Sequence, residues 1–161
     1  MITSDLIVVG VDGSEGSRQA LRWAVAEAHR SGGAVEAVTA WYWQGVEGAM
    51  LAATNPREQE QHAERISARE VDAIVREFGS GTPIAREVVE GVPVRVLIAA
   101  SHRARMLVLG SHGHGRLHHA VLGSVSDECA RQARCPVVII PAPQTEKAKQ
   151  PADPVPVLVT P

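Results

Sequence analysis

Glycines at fixed spacing after residue 109 have the pattern of an anion-binding loop. An apolar run, residues 106–109, ends at Gly110, and the following loop carries Gly113 and then the pair Gly123-Ser124 at the start of a helical segment. Glycine lets the backbone adopt a positive φ or approach a ligand closely. A helix N-terminus presents unpaired N–H groups and the positive end of its dipole. The spacing G-x2-G-x9-G-S therefore predicts a phosphate site.

The residues around the last glycine supply further candidate phosphate contacts. We expect the hydroxyls of Ser124 and Ser126 and the N–H of Val125 to meet phosphate oxygens. Arg116, the fixed cation of the loop, is predicted either to pair with an outer phosphate or to be solvated. The alternative for this segment is ordinary helix capping, with Ser124 and Asp127 forming a capping box.

Four histidines lie in the same loop: His112, His114, His118 and His119. Clustered imidazoles can bind a transition metal or titrate near neutral pH. The loop sequence contains no acidic residue or cysteine to complete a closed metal site, so we expect an exposed loop and no metal. The nearby serines are not in a GxSxG elbow, so we predict no catalytic residue.

Composition excludes several classes of protein. A chain of 161 residues suits one domain and buries about 70% of its unfolded surface. A net charge of −2 and only five aromatic residues argue against a nucleic-acid partner. No apolar stretch approaches the roughly 20 residues of a membrane span, so we expect no membrane partner. We therefore predict a cytoplasmic protein, with no basic leader segment at its N-terminus.

Lysine and cysteine usage narrow the chemistry further. The only lysines, Lys147 and Lys149, lie near the C-terminus, so Gly123-Ser124 is not preceded by the lysine of a P-loop. Cys129 and Cys135 are six residues apart, which is neither a redox CxxC pair nor a zinc pattern. We expect both cysteines to be reduced and structural.

Strands and helices are predicted to alternate along the chain, which indicates right-handed βαβ units and a parallel sheet with helices on both faces. Strands are predicted at residues 6–11, 34–42, 84–89, 106–109 and 136–140, and helices at 14–31, 57–78, from 93 and at 124–133. The buried stripe of the second helix is predicted to be Ala63, Ile66, Val71, Ile74, Val75 and Phe78. Residues 1–141 form one predicted domain. Residues 142–161 contain five of the ten prolines and are predicted to be a flexible tail. The alternative is that the apolar stretch of this tail, residues 155–159, docks on another surface.

The glycine motif resembles the nucleotide-binding signature of the universal stress protein family. The segments IVVGVDGS (7–14), GVP (91–93) and SVSDECARQARCPVVII (124–140) match as well, so the resemblance covers about residues 4–141. It implies a doubly wound α/β fold of the adenine nucleotide alpha hydrolase-like type, with five parallel strands in the order 3-2-1-4-5. It also implies a homodimer through the edge of strand five, Pro136 to Ile140, and an unpaired apolar edge strand agrees with pairing.

With that strand order, the point where the order reverses lies between strands one and four, and open α/β sheets bind ligands there. Asp12 ends the first strand and is predicted to accept hydrogen bonds from a ribose; the alternative is an Asx-turn that begins the first helix. The resemblance places the backbone of Ala40 against adenine, the alternative being a plain sheet residue. The full set of predicted ligand-binding residues is Gly10, Val11, Asp12, Ala40, Gly110, Ser111, His112, Gly113, Arg116, Gly123, Ser124, Val125 and Ser126.

The resemblance therefore implies a nucleotide-binding protein of stress response or signalling that binds ATP, with or without Mg²⁺. Hydrolysis would be slow at most, because the sequence offers no clear Mg²⁺ carboxylate beyond Asp12. Three alternatives stay open: a cyclic AMP-binding module, a weak ATPase, and a scaffold that binds no nucleotide. The presence of the glycine motif counts against the scaffold.

Overall fold

The described part of the chain forms one five-stranded sheet flanked by helices. A computed structural model describes residues 5–43, 55–114 and 122–141. The elements in chain order are β1 (Leu6–Gly10), α1 (Glu15–Ser31), β2 (Ala34–Trp41), α2 (Pro56–Phe78), β3 (Ile84–Glu90), α3 (Pro93–Ser101), β4 (Met106–Gly110), α4 (Ser124–Gln132) and β5 (Val137–Ile140). All strand pairs are parallel and the order is β3-β2-β1-β4-β5, so the predicted fold class is confirmed. The predicted tail, residues 142–161, lies outside the described residues.

The long helices begin and end where local chemistry predicts. The Ser14 hydroxyl caps α1 by accepting from the Ser17 amide at 3.2 Å, and Gly32 ends the helix in the left-handed region. Asn55 caps α2 by accepting from the Glu58 amide at 3.0 Å. Pro56 follows as the first helical residue, a position where a backbone N–H would have no partner within the helix. These caps fix where α1 and α2 start relative to the sheet.

The sheet carries a core on each face. One core joins α1 and α2 to the sheet through Ile7, Val9, Leu21, Val25, Val35, Val71, Ile74 and Val108, among others. The other joins α3 and α4 to the opposite face through Val8, Val38, Leu97, Leu107, Leu109 and Cys129. Since β1 and β4 contribute to both cores, their sequences are continuous apolar runs, as central parallel strands require.

The second helix departs from the predicted stripe at its end. Val75 and Phe78 were expected to be buried but are 37% and 43% exposed. The inner face of α2 instead includes two polar residues, Ser67 and Glu70, beside its apolar ones. Helical periodicity identifies a stripe, but the sheet beneath the helix decides how far along it burial extends.

Both cysteines are free and pack in the core on the α3 and α4 face. Burial, with a smaller contribution from the charge of Glu128, raises the pKa of the Cys129 thiol to about 11. Burial also raises the pKa of Cys135, against a hydrogen bond with the backbone of Leu107 that lowers it. Both thiols are therefore protonated at neutral pH, in agreement with the structural role predicted for them.

No helix within residues 5–43, 55–114 and 122–141 has the length and apolar character needed to cross a membrane.

The end of β4 lies directly against the first turn of α1. A Cβ atom on Gly110 would stand 2.6 Å from the carbonyl carbon of Gly16, and a Cβ on Gly16 would stand 2.4 Å from the carbonyl oxygen of His112. Real carbon atoms do not approach so closely, so the two backbones can touch only because both residues are glycine.

We predict that Gly110→Ala lowers the free energy of unfolding by about 1–3 kcal/mol, because the added methyl group must push α1 away from β4. Urea denaturation of the purified variant measures the change. Gly81→Ala is the matched control, since its Cβ would meet only ring atoms of His29 at 3.9–4.0 Å. Equal stability of the two variants would show that the backbone contact at Gly110 accommodates a side chain.

Candidate functional site

A cavity of about 460 Å³ opens at the carboxyl edge of the sheet, where β1 and β4 end. Eleven of the thirteen predicted residues line it: Gly10, Val11, Asp12, Ala40, Gly110, His112, Gly113, Gly123, Ser124, Val125 and Ser126. The remaining lining residues are Ser14, Ser17, Val38, Pro93, Leu97, Leu109, His114 and Leu122. The starts of α1, α3 and α4 and the ends of β1, β2 and β4 thus surround one space.

Of the other two predicted residues, Ser111 is not among those that line the cavity. Ser111 is buried next to the wall: its amide donates to the Ile140 carbonyl at 2.8 Å, and its carbonyl accepts from the Gly123 amide at 2.7 Å. Ser111 therefore connects the start of the loop after β4 to the end of β5 and to the N-cap of α4. Arg116 lies outside the described residues, as do His118 and His119.

The turn between β1 and α1 fixes the Asp12 carboxylate. Its Oδ1 accepts from the Ser14 amide at 2.9 Å, so the Asx-turn considered for Asp12 is present. Its Oδ2 lies beside Gly113, where a Cβ would stand 2.6 Å away. The main chain of Asp12 is held as well, with Nε2 of His114 2.7 Å from its carbonyl oxygen. The two interpretations of Asp12 are compatible, because the same carboxylate forms the turn and lines the cavity.

The start of α4 does not form the capping box that was the alternative for this segment. The N-cap is Gly123, with a φ of −73° and no side-chain capping bond, so the box between Ser124 and Asp127 is wrong. The Ser126 hydroxyl instead donates to the carbonyls of Ser111 and Gly123, at 3.0 Å and 2.9 Å. The hydroxyl proton of Ser126 is therefore engaged by backbone carbonyls of the protein. The first amides of α4 have no acceptor within the helix, which leaves them to bind an anion.

The three glycines of the motif, Gly110, Gly113 and Gly123, leave room for neighbouring atoms and do not adopt a positive φ. Of the glycines that the structure describes, Gly13, Gly32, Gly79 and Gly91 have a positive φ, whereas Gly110, Gly113 and Gly123 do not. The positive φ considered at the signature is therefore wrong at all three positions. Gly110 does allow a close approach, but the group that approaches it is the backbone of α1 and not a ligand.

The end of β2 directs main-chain groups into the cavity. The ladder between β1 and β2 ends at the hydrogen bond from the Val11 amide to the Val38 carbonyl, at 2.9 Å. Alternate residues of a strand turn their N–H and C=O toward the same neighbour, so those of Ala40 also face the β1 side. β1 has ended there, and Ala40 borders the cavity. The side chains of Val38, Pro93, Leu97 and Leu109 form an apolar wall around this edge.

The described wall of the cavity carries few charged side chains. Among its described lining residues the charged or titratable side chains are Asp12, His112 and His114, and none is a lysine or arginine. Within the described residues no group of three potential metal ligands is found. Three helices, α1, α3 and α4, begin at the cavity, and the unpaired amides and positive dipole end of a helix start favour an anion.

Three of the lining residues that were not predicted from the sequence are polar: Ser14, Ser17 and His114. Ser14 and Ser17 were detectable, because the first helix must start at the same edge of the sheet as the β4 loop. Ser17 accepts from the Asp12 amide at 3.3 Å and donates to the Ser14 carbonyl at 3.0 Å. No spacing in the sequence singles out His114 from the other loop histidines.

Comparison with known proteins identifies the family. The universal stress protein family matches residues 4–141 of the chain. The chain belongs to the universal stress protein family. One relative, universal stress protein Rv2005c of Mycobacterium tuberculosis, is 38% identical over 133 residues, which cover 83% of this chain and 44% of that protein. The chain spans about half the length of the curated relatives it matches.

Solved universal stress proteins have the same fold. A crystal structure of a universal stress protein in complex with cAMP is 26% identical, has a TM-score of 0.61 and covers 87% of this chain and 99% of its own. The universal stress protein from Archaeoglobus fulgidus in complex with dAMP is 23% identical, with a TM-score of 0.61, and covers 86% and 99%. These structures support the strand order and the placement of helices described above.

Proposed function

We propose that this protein binds an adenine nucleotide in the cavity between β1 and β4, with ATP as the first candidate. The observation that carries the proposal is the convergence of eleven predicted residues on one cavity that combines an apolar wall, a fixed carboxylate and a helix N-terminus. An apolar base, a hydroxylated sugar and a phosphate need those three surfaces.

The base would occupy the apolar wall at the end of β2. Adenine presents an acceptor, N1, next to a donor, the N6 amino group. The N–H and C=O of Ala40 face the same direction and match this pair, whereas the corresponding edge of guanine has the donor and acceptor reversed. Val38, Leu97 and Leu109 would contact the ring faces. This arrangement favours adenine over guanine.

The ribose would lie against the turn that follows β1. One oxygen of Asp12 is engaged by the Ser14 amide, which orients the carboxylate, and the other borders the cavity beside Gly113. A carboxylate held in this way accepts hydrogen bonds from sugar hydroxyls, as acids do in other nucleotide folds. Because the turn already orients the carboxylate, binding would cost little side-chain entropy.

The phosphates would meet the start of α4. The amides of Ser124, Val125 and Ser126 are the first of the helix, and Ser124 is exposed at the cavity. A backbone cradle of this kind binds phosphate without a lysine. Arg116 would then pair with an outer phosphate of ATP, and Mg²⁺, if bound, would be held mainly by the phosphates with Asp12 as the nearest carboxylate.

Cyclic AMP is the second candidate. A related protein was solved in complex with cAMP, and the described cavity wall contains no lysine or arginine to balance a triphosphate. A cyclic nucleotide carries a single phosphate charge, which the amides of α4 would suffice to bind. For either ligand we propose a nucleotide-responsive binding protein with slow hydrolysis at most, because Asp12 is the one carboxylate among the described lining residues that could hold Mg²⁺. We also propose a cytoplasmic location, which two free cysteines fit.

The edges of the sheet favour a homodimer through β5. The β3 edge carries charged residues, Arg86, Glu87 and Glu90, whereas β5 is the four-residue apolar strand Val137–Ile140, half-buried throughout. Charges protect an edge strand from pairing, and an apolar edge without them favours it. We propose that two copies pair along β5.

Mass spectrometry of the small molecule released from protein purified without added nucleotide tests the proposed function. We expect ATP or, as the second candidate, cyclic AMP. If no nucleotide is released and calorimetry detects no binding of either one, the proposed function is wrong.

We predict that Asp12→Ala weakens ATP binding about tenfold, or about 1.4 kcal/mol, through the loss of the ribose contact. 2′-Deoxy-ATP should lose less affinity, since it offers one hydroxyl fewer to the carboxylate. Isothermal titration calorimetry of both nucleotides with both proteins measures the difference. An equal loss for the two nucleotides would contradict the ribose role.

We predict that Arg116→Ala weakens ATP binding roughly tenfold and leaves cyclic AMP binding almost unchanged, because a charge-assisted contact to an outer phosphate contributes about 1.5–3 kcal/mol. Competition binding with the two nucleotides measures the ratio of affinities. A wild-type protein that prefers cyclic AMP, with no change in Arg116→Ala, would make the cyclic nucleotide the first candidate.

We predict that Ile139→Pro yields folded monomers. The carbonyls of Pro136 and Ile140 accept from the amides of Leu107 in β4 and of Ser111 just after it, so residues 137 and 139 turn their N–H groups to the open edge, where a second copy would use them. Proline removes the outward donor and leaves the inner ladder intact. Light scattering gives the mass, and Val138→Pro, which breaks the inner ladder, is the control that should lose stability. A folded dimer of Ile139→Pro would place the interface elsewhere.

A further inference from the structure

The turn that carries Asp12 is supported from outside the cavity by α2. Gly13, at the centre of the turn, has a φ of 80°. Around the position that a Cβ would take on Gly13, the nearest atoms are Nη2 of Arg69 and Cγ2 of Ile66, each 3.2 Å away. Both residues belong to α2, so this helix packs directly on the turn.

A buried carboxylate holds the arginine in place. Glu70 is 4% exposed, and its Oε1 accepts from Nε and Nη2 of Arg69 at 2.9 Å and 2.7 Å. The same carboxylate accepts from Arg18 of α1, with Nε 2.8 Å from Oε2 and Nη2 3.2 Å from Oε1. Glu70 thereby connects α2 with the helix that begins at the turn. Nη1 of Arg18 also lies 3.4 Å from Oε2 of Glu15, so the Arg18 guanidinium contacts two carboxylates.

The network is charged at neutral pH. Burial on its own raises the pKa of Glu70, but the hydrogen bonds and charges of Arg18 and Arg69 outweigh burial and hold the pKa below its usual value. Two guanidinium groups on one buried carboxylate form a rigid arrangement, because Arg donates in a fixed planar geometry.

We propose that Glu70 is a positioning residue of the nucleotide site, which acts through Arg69 and Arg18 to hold the Asp12–Ser14 turn against the cavity. This inference rests on the proposed function, since the contact that Glu70 positions is that of Asp12 with the ribose. The site then extends beyond its lining residues to a carboxylate on the outer side of the turn.

A second ion pair between the same helices supplies the matched control. Nε of Arg22 lies 2.9 Å from Oε2 of Glu77, and both side chains are 45% exposed. This pair also joins α1 to α2, but it is one helical turn further along α1 than Arg18. If joining the helices were all that mattered, Glu77→Gln and Glu70→Gln would affect nucleotide binding alike.

The test compares Glu70→Gln with Glu77→Gln by calorimetry with ATP and with 2′-deoxy-ATP. We expect Glu70→Gln to weaken ATP binding by roughly fivefold and 2′-deoxy-ATP binding by less, with Glu77→Gln unchanged for both. Adding Glu70→Gln to Asp12→Ala should cause little further loss, because both changes act on one contact. An equal loss for both nucleotides, or additive losses in the double variant, would overturn the proposal.

Two further measurements separate positioning from other causes. Arg69→Gln removes the guanidinium over Gly13 and keeps the pair of Glu70 with Arg18, so it should reproduce the effect even if Glu70→Gln folds poorly. The backbone amide signals of residues 12–14 in NMR spectra of the free protein should move in Glu70→Gln and Arg69→Gln but not in Glu77→Gln. A wild type that binds no nucleotide refutes the proposed function, whereas unmoved amide signals refute the positioning role by themselves.

Discussion

The contact between the backbones of Gly16 and Gly110 sets the geometry on which the rest of the site depends. In this strand order β1 and β4 are neighbours whose following segments diverge, with α1 on one face of the sheet and α4 on the other. A crevice opens where they diverge. There the first turn of α1 meets the end of β4, and two glycines let the two backbones approach as closely as their atoms permit.

The turn that carries Asp12 is held from two sides. On the inner side Gly113 and His114 lie against it, and on the outer side Ile66 and Arg69 of α2 do so. A loop residue is ordinarily mobile, so a carboxylate on a loop is useful for binding only if the structure around it limits its motion. Here the Asx-turn, the α1 cap and the packing of α2 provide that restraint.

In the described part of the cavity wall, the groups suited to bind an anion are backbone amides at helix starts. The described part of the wall has one carboxylate and no lysine or arginine, while the starts of α1 and α4 both face the cavity. Helix amides bind an anion through short directional hydrogen bonds and do not need to be charged themselves. This explains how a protein with a net charge of −2 and almost no lysine could bind a phosphate, which is the core of the proposed function.

The sequence by itself determined the elements, their order along the chain and most of the cavity wall. Apolar runs, capping residues and glycine punctuation are local signals, so strand and helix bounds could be predicted, and the strand order followed from the family resemblance. Tertiary structure decided what depends on the surroundings of a residue. It showed that Gly110 is required by the backbone of Gly16, that Gly123 and not Ser124 caps α4, and that Phe78 is exposed. It also brought Glu70 of α2 to Arg18, 52 positions away, and no periodicity encodes the partner of a buried carboxylate.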